Sequence, residues 1–362
     1  MNLNEKKKLK GVVVGTGYFS QFHFDAWNQI ADVELSAVCD INAQSADRQA
    51  RTNNISRSYT NYIKMLDEEQ PDFVDIITRP ETHLELCQAA ASRGIAILCQ
   101  KPLTPSYQES KDLIQLISEA NVPFMVHDNF RFQPWHREIK KLINAGEIGD
   151  RLLSIEVRSR MGDGWQQDAY MNRQPYFRTM PQLLIHETGV HFIDVFRYLF
   201  GDVTSVYANL RQLNPEIVGE DTASVLLSFE SGAQGLINAT RYHESDAENA
   251  RYTFGEFLID GSAGSISLAL DGTITIKRLG EPSCVHVYLH EDKGFAGNCV
   301  LTTLQHFTDQ LLAEKPFETD GEDYLKTLAV QEAIYQSGKQ KRLVDLSEIE
   351  CTLDCSTVSP ND

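Results

Sequence analysis

The sequence predicts an α/β chain of two domains: a doubly wound parallel sheet with helices on both faces, then an α+β domain with a largely antiparallel open sheet. Three observations predict this. The first third alternates short apolar, β-branched runs with segments of helical periodicity. Beyond it, successive strands follow one another through Ser-Gly, Asp-Gly and Gly-rich turns. A chain of 362 residues, 42% of them hydrophobic, is long enough for two cores. The expected division is 1–129, 130–350 and a tail, 351–362, that loses hydrophobic periodicity and is expected to be mobile.

Within the first domain, "LKGVVVG" reads as a strand ending in glycine. "YFSQFHFDAWNQI" follows with Phe19, Phe22, Ala26, Trp27 and Ile30 at helical spacing. "VELSAVCD" is a second strand, closing with Asp40. "DFVDIIT" and "IAILCQ" are buried strands separated by the helical "HLELCQAAASRG"; "PSYQESKDLIQLISEAN" is helical, and "VPFMV" is the last short strand.

"GTGYFS" sits where the first strand turns into a helix. Gly15 permits the tight turn, Gly17 lets backbone approach a pyrophosphate, and the helix starting near Tyr18 offers free N–H groups and a positive dipole end. Ser20 stands where a third glycine is usual. The pattern predicts a Rossmann domain that binds a dinucleotide, with Gly15, Thr16, Gly17, Tyr18 and Phe19 around it. Asp40 would accept hydrogen bonds from ribose hydroxyls and repel a 2′-phosphate, which favours NAD over NADP. Ile41 and Asn42 supply no cation to reverse this, although Arg48 or Arg51 could reach in. The carboxyl ends of the later strands carry further cofactor candidates: Thr78, Arg79, His83, Gln100, Lys101 and Asn129. In "LCQKPLTPS", Lys101 is a cation on a turn stiffened by Pro102, placed to stabilise the alkoxide character that develops on a substrate hydroxyl as hydride leaves.

In the second domain, "QPWHREIKKLINAG" is an amphipathic helix and "RLLSIEVRSR" alternates as a strand. "TSVYANLRQL", "TASVLLSFESGAQGLINATRYHE" and "EFLIDGSAGSISLALDGTITIKRL" continue the sheet. Between them, residues 160–182 form a long irregular loop rich in Trp165, Tyr170, Tyr176, Arg160, Arg173 and Arg178. Aromatic faces with fork-like donors suit a hydroxylated substrate, so Arg160, Trp165 and Tyr176 are assigned to it. Arg131, just after the last strand of the first domain, is a further candidate; His127, Asp128 and His243 are weaker ones.

"LLIHETGVHFIDVFRYLFG" nearly spells the zinc-protease signature with one residue too many. His186 and His191 are five apart, so a regular helix does not turn both to one metal, and no metal is expected. Glu187, His191 and Asp194 stand at i, i+4 and i+7 on one helix face, beside Gly189. A carboxylate and an imidazole presented together suit proton transfer, for which histidine's ordinary titration range is well placed.

Composition bounds the rest. A net charge of −18 argues against nucleic acid or an anionic membrane surface as partner. The start "MNLNEKKKLKGVVVG" is too short in apolar residues for a signal-peptide core, and no segment approaches a membrane span. Seven cysteines (39, 87, 99, 284, 299, 351, 355), odd in number and mostly far apart, fit reduced thiols and a cytoplasmic protein. Cys351 and Cys355 are close, but lack the nearby histidines of a metal site.

"GVVVGTGYFS", "DIITRPETHLELCQAAASRGIAILCQKPLT" and "ETGVHFIDVFRYLFG" together resemble the glucose–fructose oxidoreductase / inositol dehydrogenase / rhizopine-catabolism (Gfo/Idh/MocA) family. So do "NFRFQPWHREIKKLINAGEIGD" and "TDGEDYLKTLAVQEAIYQSGKQKRLVDL". The tract from "GDGWQQDAY" to "FRYLFG" is similar to the D-apiose dehydrogenase branch. The resemblance implies a Rossmann domain followed by a domain whose open sheet packs between subunits of a dimer or tetramer. It implies that Lys101, from a Glu-Lys-Pro motif in which Gln100 replaces the glutamate, contacts both cofactor and substrate. It implies that Glu187-x-Gly189-x-His191 corresponds to an Asp-x-Gly-x-His motif over the nicotinamide; the longer Glu187 then suits a substrate hydroxyl, and Asp194 suits a helix anchor. The expected activity is NAD-dependent oxidation of a free sugar or polyol, such as a D-apiose-like aldose to its lactone. His191 would take the proton, Lys101 polarise the oxygen and Glu187 hold a neighbouring hydroxyl. Two other readings stay open on the same fold: a glycosidase-like enzyme that retains its NAD, and a sugar- or NAD-sensing regulator.

Overall fold

The structure, a computed structural model, describes residues 8–351, so the tail expected to be mobile lies outside them apart from Cys351, as does Cys355. The chain divides into two compact units, Met1–Asn129 with Cys299–Leu325, and Phe130–Asn298 with Lys326–Asp362.

The first unit is built on six parallel strands: β1 (Leu9–Val14), β2 (Val33–Cys39), β3 (Arg57–Tyr59), β4 (Phe73–Ile76), β5 (Ala96–Gln100) and β6 (Phe124–His127). Their order is β3-β2-β1-β4-β5-β6, with α1 (Ser20–Trp27), α2 (Ala43–Thr52), α3 (Tyr62–Glu69), α4 (His83–Ala91) and α5 (Tyr107–Ala120) in the connections. The central strands are apolar almost without interruption because both faces are covered: Val12, Val13, Val74, Ile97 and Leu98 are fully buried. Strand order reverses between β1 and β4, and open α/β sheets bind ligands at the carboxyl ends flanking such a reversal. Two helices and a short strand occupy 43–69, a polar stretch whose helix starts are set by side chains: Asn42 and Asn61 accept the N–H of Ser45 and Lys64.

The second unit contains α6 (Pro134–Asn144), β7 (Leu152–Arg160), α7 (Val190–Phe200), β8 (Val203–Arg211), β9 (Thr222–Phe229), β10 (Gln234–Thr240), β11 (Glu256–Gly261), β12 (Gly264–Leu268), β13 (Ile274–Arg278), β14 (Cys284–His286) and β15 (Val344–Asp345). The nine strands run in the order β14-β13-β12-β11-β7-β10-β9-β8-β15. Neighbours are antiparallel except β7 and β10. Burial alternates along β9 and β11, so the sheet has one covered and one open face.

The expected boundary is corrected in one respect: residues 299–325 cluster with the first unit, not the second. The cause is an apolar helix, α8 (Cys299–Ala313), whose Phe307 packs against Trp27 and Phe73. The chain then pairs with the sheet edge, where Thr319 O accepts the N–H of Val126 at 2.9 Å and Thr319 Oγ1 donates to Val126 O at 2.6 Å. That covers backbone groups an edge strand would leave open. Two helices complete the described chain, α9 (Gly321–Gln340) and α10 (Leu346–Cys351). Among the described residues no helix is long and apolar enough to cross a membrane.

Candidate active site

In the first unit, the glycine turn joins β1 to α1. Gly15 has φ +99°, and a Cβ there would lie 2.5 Å from Ile77 O, so close approach to the strand beside it requires glycine. Gly17 differs: a Cβ at that position would meet nothing within 4 Å, so the absent side chain leaves open space. Ser20, in the third position, is buried and donates to Gly17 O at 2.7 Å, closing the first turn of α1. Asp40 leaves the end of β2 with its carboxylate turned to this loop. Oδ2 accepts from Thr16 N–H at 2.8 Å and Thr16 Oγ1 at 2.7 Å, and Oδ1 from Asn42 N–H at 2.8 Å. Arg48 is directed to Ser45 Oγ at 3.1 Å.

The next carboxyl ends carry the remaining candidates. Thr78 is half-buried and Arg79 exposed, with Thr82 Oγ1 within 2.7 Å of Thr78 Oγ1 and 2.9 Å of Arg79 O. Both ring nitrogens of His83 face carbonyl oxygens, Leu103 at 2.9 Å and Thr78 at 3.2 Å, and burial pushes its pKa down. His83 therefore ties the turn after β4 to the segment after β5. Half-buried Lys101 follows β5 directly; its peptide bond to Pro102 is cis, and its N–H donates to Gln100 Oε1 at 2.8 Å. Tyr18 is exposed, while Phe19 lies edge-on to His23 and His127. Asp128 accepts from Tyr324 Oη at 2.9 Å. Asn129 is buried and its Nδ2 has no hydrogen-bond partner, a costly state for a donor unless a ligand meets it. The open space at Gly17, the acid at the end of β2 and this orphaned amide fit a dinucleotide along the edge.

In the second unit, the segment expected to be a regular helix is not one. Ile185–Gly189 is a π-helical turn, with the N–H of Val190 reaching Ile185 O, and α7 begins only after it. A correction follows: i, i+4 and i+7 positions of one ideal helix do not describe Glu187, His191 and Asp194. Side chains from elsewhere satisfy the start of the turn. The buried Glu220 carboxylate accepts the N–H of Leu183 at 3.1 Å and of Ile185 at 2.9 Å, and Tyr335 Oη accepts from His186 N–H at 3.0 Å while donating to Glu220 at 2.7 Å. An anion at a helix start is favoured by the dipole, but burial dominates and pushes the Glu220 carboxyl pKa up.

His191 is buried and stacks on Phe130, ring centroids 4.0 Å apart and 6° from parallel, which fixes the imidazole plane. His186 instead meets Gln331 at 3.1 Å. From Leu183 to Arg197, only Glu187 is not buried. Asp194 is fully buried and takes a two-pronged bond from Arg131, Nε to Oδ2 at 2.8 Å and Nη2 to Oδ1 at 2.5 Å. The structure thus separates the two acids, Glu187 half-buried and Asp194 fully buried on a guanidinium.

The irregular loop has a small core of its own, Ala169, Tyr170, Phe177, Leu183 and Ile217. Three guanidiniums, Arg173, Arg241 and Arg251, meet Asp163 at 3.2, 2.8 and 3.1 Å. Burial opposes ionisation of Asp163, yet the arginines, Arg241 foremost, hold its carboxyl below the usual range. Arg241 also donates to Thr188 Oγ1 at 2.8 Å, and the Glu187 carboxylate is among the charges that favour its protonated form. Arg160 is half-buried with its guanidinium on Asn238 (2.8 and 2.9 Å). Trp165 is exposed and donates to Glu244 at 3.0 Å; Tyr176 meets Gln174 at 2.9 Å; Arg178 pairs with Glu216; His243 is exposed. Among the described residues no group of three or more His, Cys, Asp or Glu is arranged to hold a metal ion. Sequence reasoning did not find Asp163, Arg241 or Glu220, whose partners lie far along the chain.

Sequence models of two domain families match this chain: "Oxidoreductase family, NAD-binding Rossmann fold" over residues 9–128, and the GFO/IDH/MocA C-terminal domain over residues 136–267. A D-apiose dehydrogenase of Paraburkholderia graminis is 31% identical over 95% of this chain and 91% of its own length. One of Rhizobium rhizogenes is 30% identical over 96% and 99%. Among solved structures, an oxidoreductase of Agrobacterium radiobacter, in complex with NAD+, L-tartaric acid and magnesium, superposes with a TM-score of 0.87 at 28% identity, covering 95% of this chain and all of that one. With both domains matched and the glycine turn, Asp40 and the Lys101 turn in place, the chain belongs to the Gfo/Idh/MocA oxidoreductases and carries their NAD-binding Rossmann domain.

Proposed function

We propose that this protein is an NAD-dependent dehydrogenase of a free sugar or polyol, and that within this class it oxidises an aldose of the D-apiose kind to its lactone. The observation that carries the reading is the near-full-length likeness to two D-apiose dehydrogenases. The chain's own residues supply the groups the reaction needs. NAD, when bound, supplies the hydride acceptor. The backbone around Gly15 and Gly17 holds its pyrophosphate at the start of α1, and Asp40 takes the ribose hydroxyls. His191, its ring plane set by Phe130, removes the proton from the reacting hydroxyl. Lys101 stabilises negative charge on that oxygen, and Glu187 holds a neighbouring hydroxyl. Arg160, Trp165 and Tyr176 contact the rest of the sugar.

The reading extends to a homo-oligomer in the cytoplasm. The open face of the nine-stranded sheet carries a cross-strand row, Tyr207, Leu226, Leu236, Glu156 and Leu258, in which Tyr207, Leu226 and Leu258 are exposed. Such a row favours coverage by a second copy. Cys39, Cys87, Cys99, Cys284 and Cys299 are free thiols, as a reducing compartment keeps them.

The test is NADH formation by purified protein with NAD and a panel of free pentoses, hexoses and inositols that includes D-apiose. Turnover of one sugar, lost in His191→Ala and Lys101→Ala, is expected; no NADH with any sugar despite tight NAD binding would overturn the reading.

A further inference from the structure

We propose that His23, Asp75 and His127 are positioning residues that act through Gln100 to hold the turn carrying Lys101; the functional half of this rests on the dehydrogenase reading above. All lie in the first unit, and His23, Asp75, His127 and Gln100 are each no more than 6% exposed. The hydrogen bonds fix one another in sequence. The backbone N–H of Lys101 can only donate, and it lies 2.8 Å from Gln100 Oε1. The amide oxygen must therefore face the lysine, and the NH2 group the other way. That NH2 meets His23 Nε2 at 3.1 Å and His127 Nδ1 at 3.3 Å. Each ring nitrogen has to offer a lone pair, because an N–H there would confront the amide hydrogens. His23 consequently carries its proton on Nδ1, which lies 2.7 Å from Asp75 Oδ2. The same oxygen accepts from Trp27 Nε1 at 2.7 Å. His127 carries its proton on Nε2.

One donor in the backbone of Lys101 thus determines the orientation of an amide and the tautomers of two histidines. A buried polar chain of this kind is costly, the more so because Asp75 Oδ1 has no hydrogen-bond partner, and apolar residues of like size would serve a core as well. Its cost becomes intelligible if it terminates on something that needs holding. It ends at the peptide group of Lys101, the residue given the charge-stabilising role. An ionised glutamate at position 100 would turn carboxylate lone pairs toward both ring nitrogens; His127 would answer by moving its proton to Nδ1, whereas His23, its Nδ1 proton held by Asp75, would have to take up a second one.

Two measurements test this. Nitrogen-15 spectra of histidine-labelled protein at neutral pH should show His23 as the neutral Nδ1–H tautomer and His127 as Nε2–H, with a doubly protonated ring appearing in Gln100→Glu. The Lys101 amide should exchange slowly in the wild type and faster in His23→Asn. The opposite tautomers, or unchanged exchange, would overturn the network even if no sugar proves to be a substrate. With an active sugar, Gln100→Leu and His23→Asn should lower kcat about tenfold or more, the scale expected when a catalytic group is displaced by a fraction of an ångström to an ångström. In a Lys101→Ala background the same substitutions should add less than about twofold, because residues acting through one another are not additive. Equal losses in both backgrounds would mean that the network serves the fold alone.

Discussion

The Asp194→Ala variant takes from Arg131 the carboxylate that receives its two-pronged bond, 2.8 and 2.5 Å long. Asp194 is fully buried and the Arg131 side chain is 6% exposed, so water does not replace what is lost. Removing one partner of such a pair costs about 3–5 kcal/mol, because the other charge stays in a low-dielectric interior. Replacing both is different. Arg131→Met with Asp194→Leu removes two desolvation penalties along with the attraction, and such exchanges are often neutral to within about 1–2 kcal/mol. Methionine also keeps an apolar stem against the Tyr198 ring, which the guanidinium now faces at 5.5 Å. The assay pairs urea unfolding followed by tryptophan fluorescence with sugar-dependent NADH formation in the soluble fraction of each variant. The single variant should be strongly destabilised, the double variant close to wild type in stability, and its kcat within about threefold, since anchoring and chemistry separate in a double-mutant cycle. A double variant that folds normally yet is as inactive as His191→Ala would refute the reasoning and move Asp194 into the chemistry.

Three further outcomes are expected. His136 is fully buried, bonded through Nδ1 to Phe130 O at 2.8 Å, and burial lowers its pKa to about 4. The unfolded chain takes up this proton below about pH 6.5 and the folded one does not until near 4, so stability falls as pH drops through that window, by about 2 kcal/mol from pH 7 to 5. His136→Asn, which does not titrate, should flatten the dependence in paired urea titrations, and an unchanged slope would count against it. Gly15→Ala should lower the melting temperature, its Cβ colliding with Ile77 O, whereas Gly17→Val should leave melting unchanged and weaken NAD binding about tenfold or more through lost pyrophosphate approach. Equal melting losses would remove the distinction between the two glycines. Asp40→Ala should weaken NAD in fluorescence titration while narrowing the preference over NADP, because the repulsion of a 2′-phosphate disappears; an unaltered ratio would show that Asp40 serves Thr16 alone.

The local pattern of the chain determined much of this. Alternating apolar runs and helical periods dictate a doubly wound sheet, since strands buried on both faces must be apolar and the intervening segments must cover them. Glycines at a strand-to-helix turn, an acid closing the next strand and a lysine after β5 are legible because each depends on neighbours a few residues away. The largely antiparallel second sheet is legible for the same reason. Even the buried network left traces: Asp75 interrupts the apolar run "FVDII", and His23 stands between two phenylalanines.

What each of these groups touches was decided by tertiary structure. Arg131 and Asp194 are 63 positions apart, His23 and Gln100 are 77 apart, and the Glu220 carboxylate that receives the first N–H groups of the π turn comes from 35 positions beyond Ile185. Periodicity says which face of a segment is apolar, not which distant partner satisfies a buried donor. For that reason the sequence could present Glu187 and Asp194 as equals on one ideal helix, whereas packing leaves Glu187 half-buried and buries Asp194 fully on a guanidinium. The return of residues 299–325 to the first unit has the same origin: an apolar helix can cover either core, and only the shape of the surface around Trp27 and Phe73 selects between them.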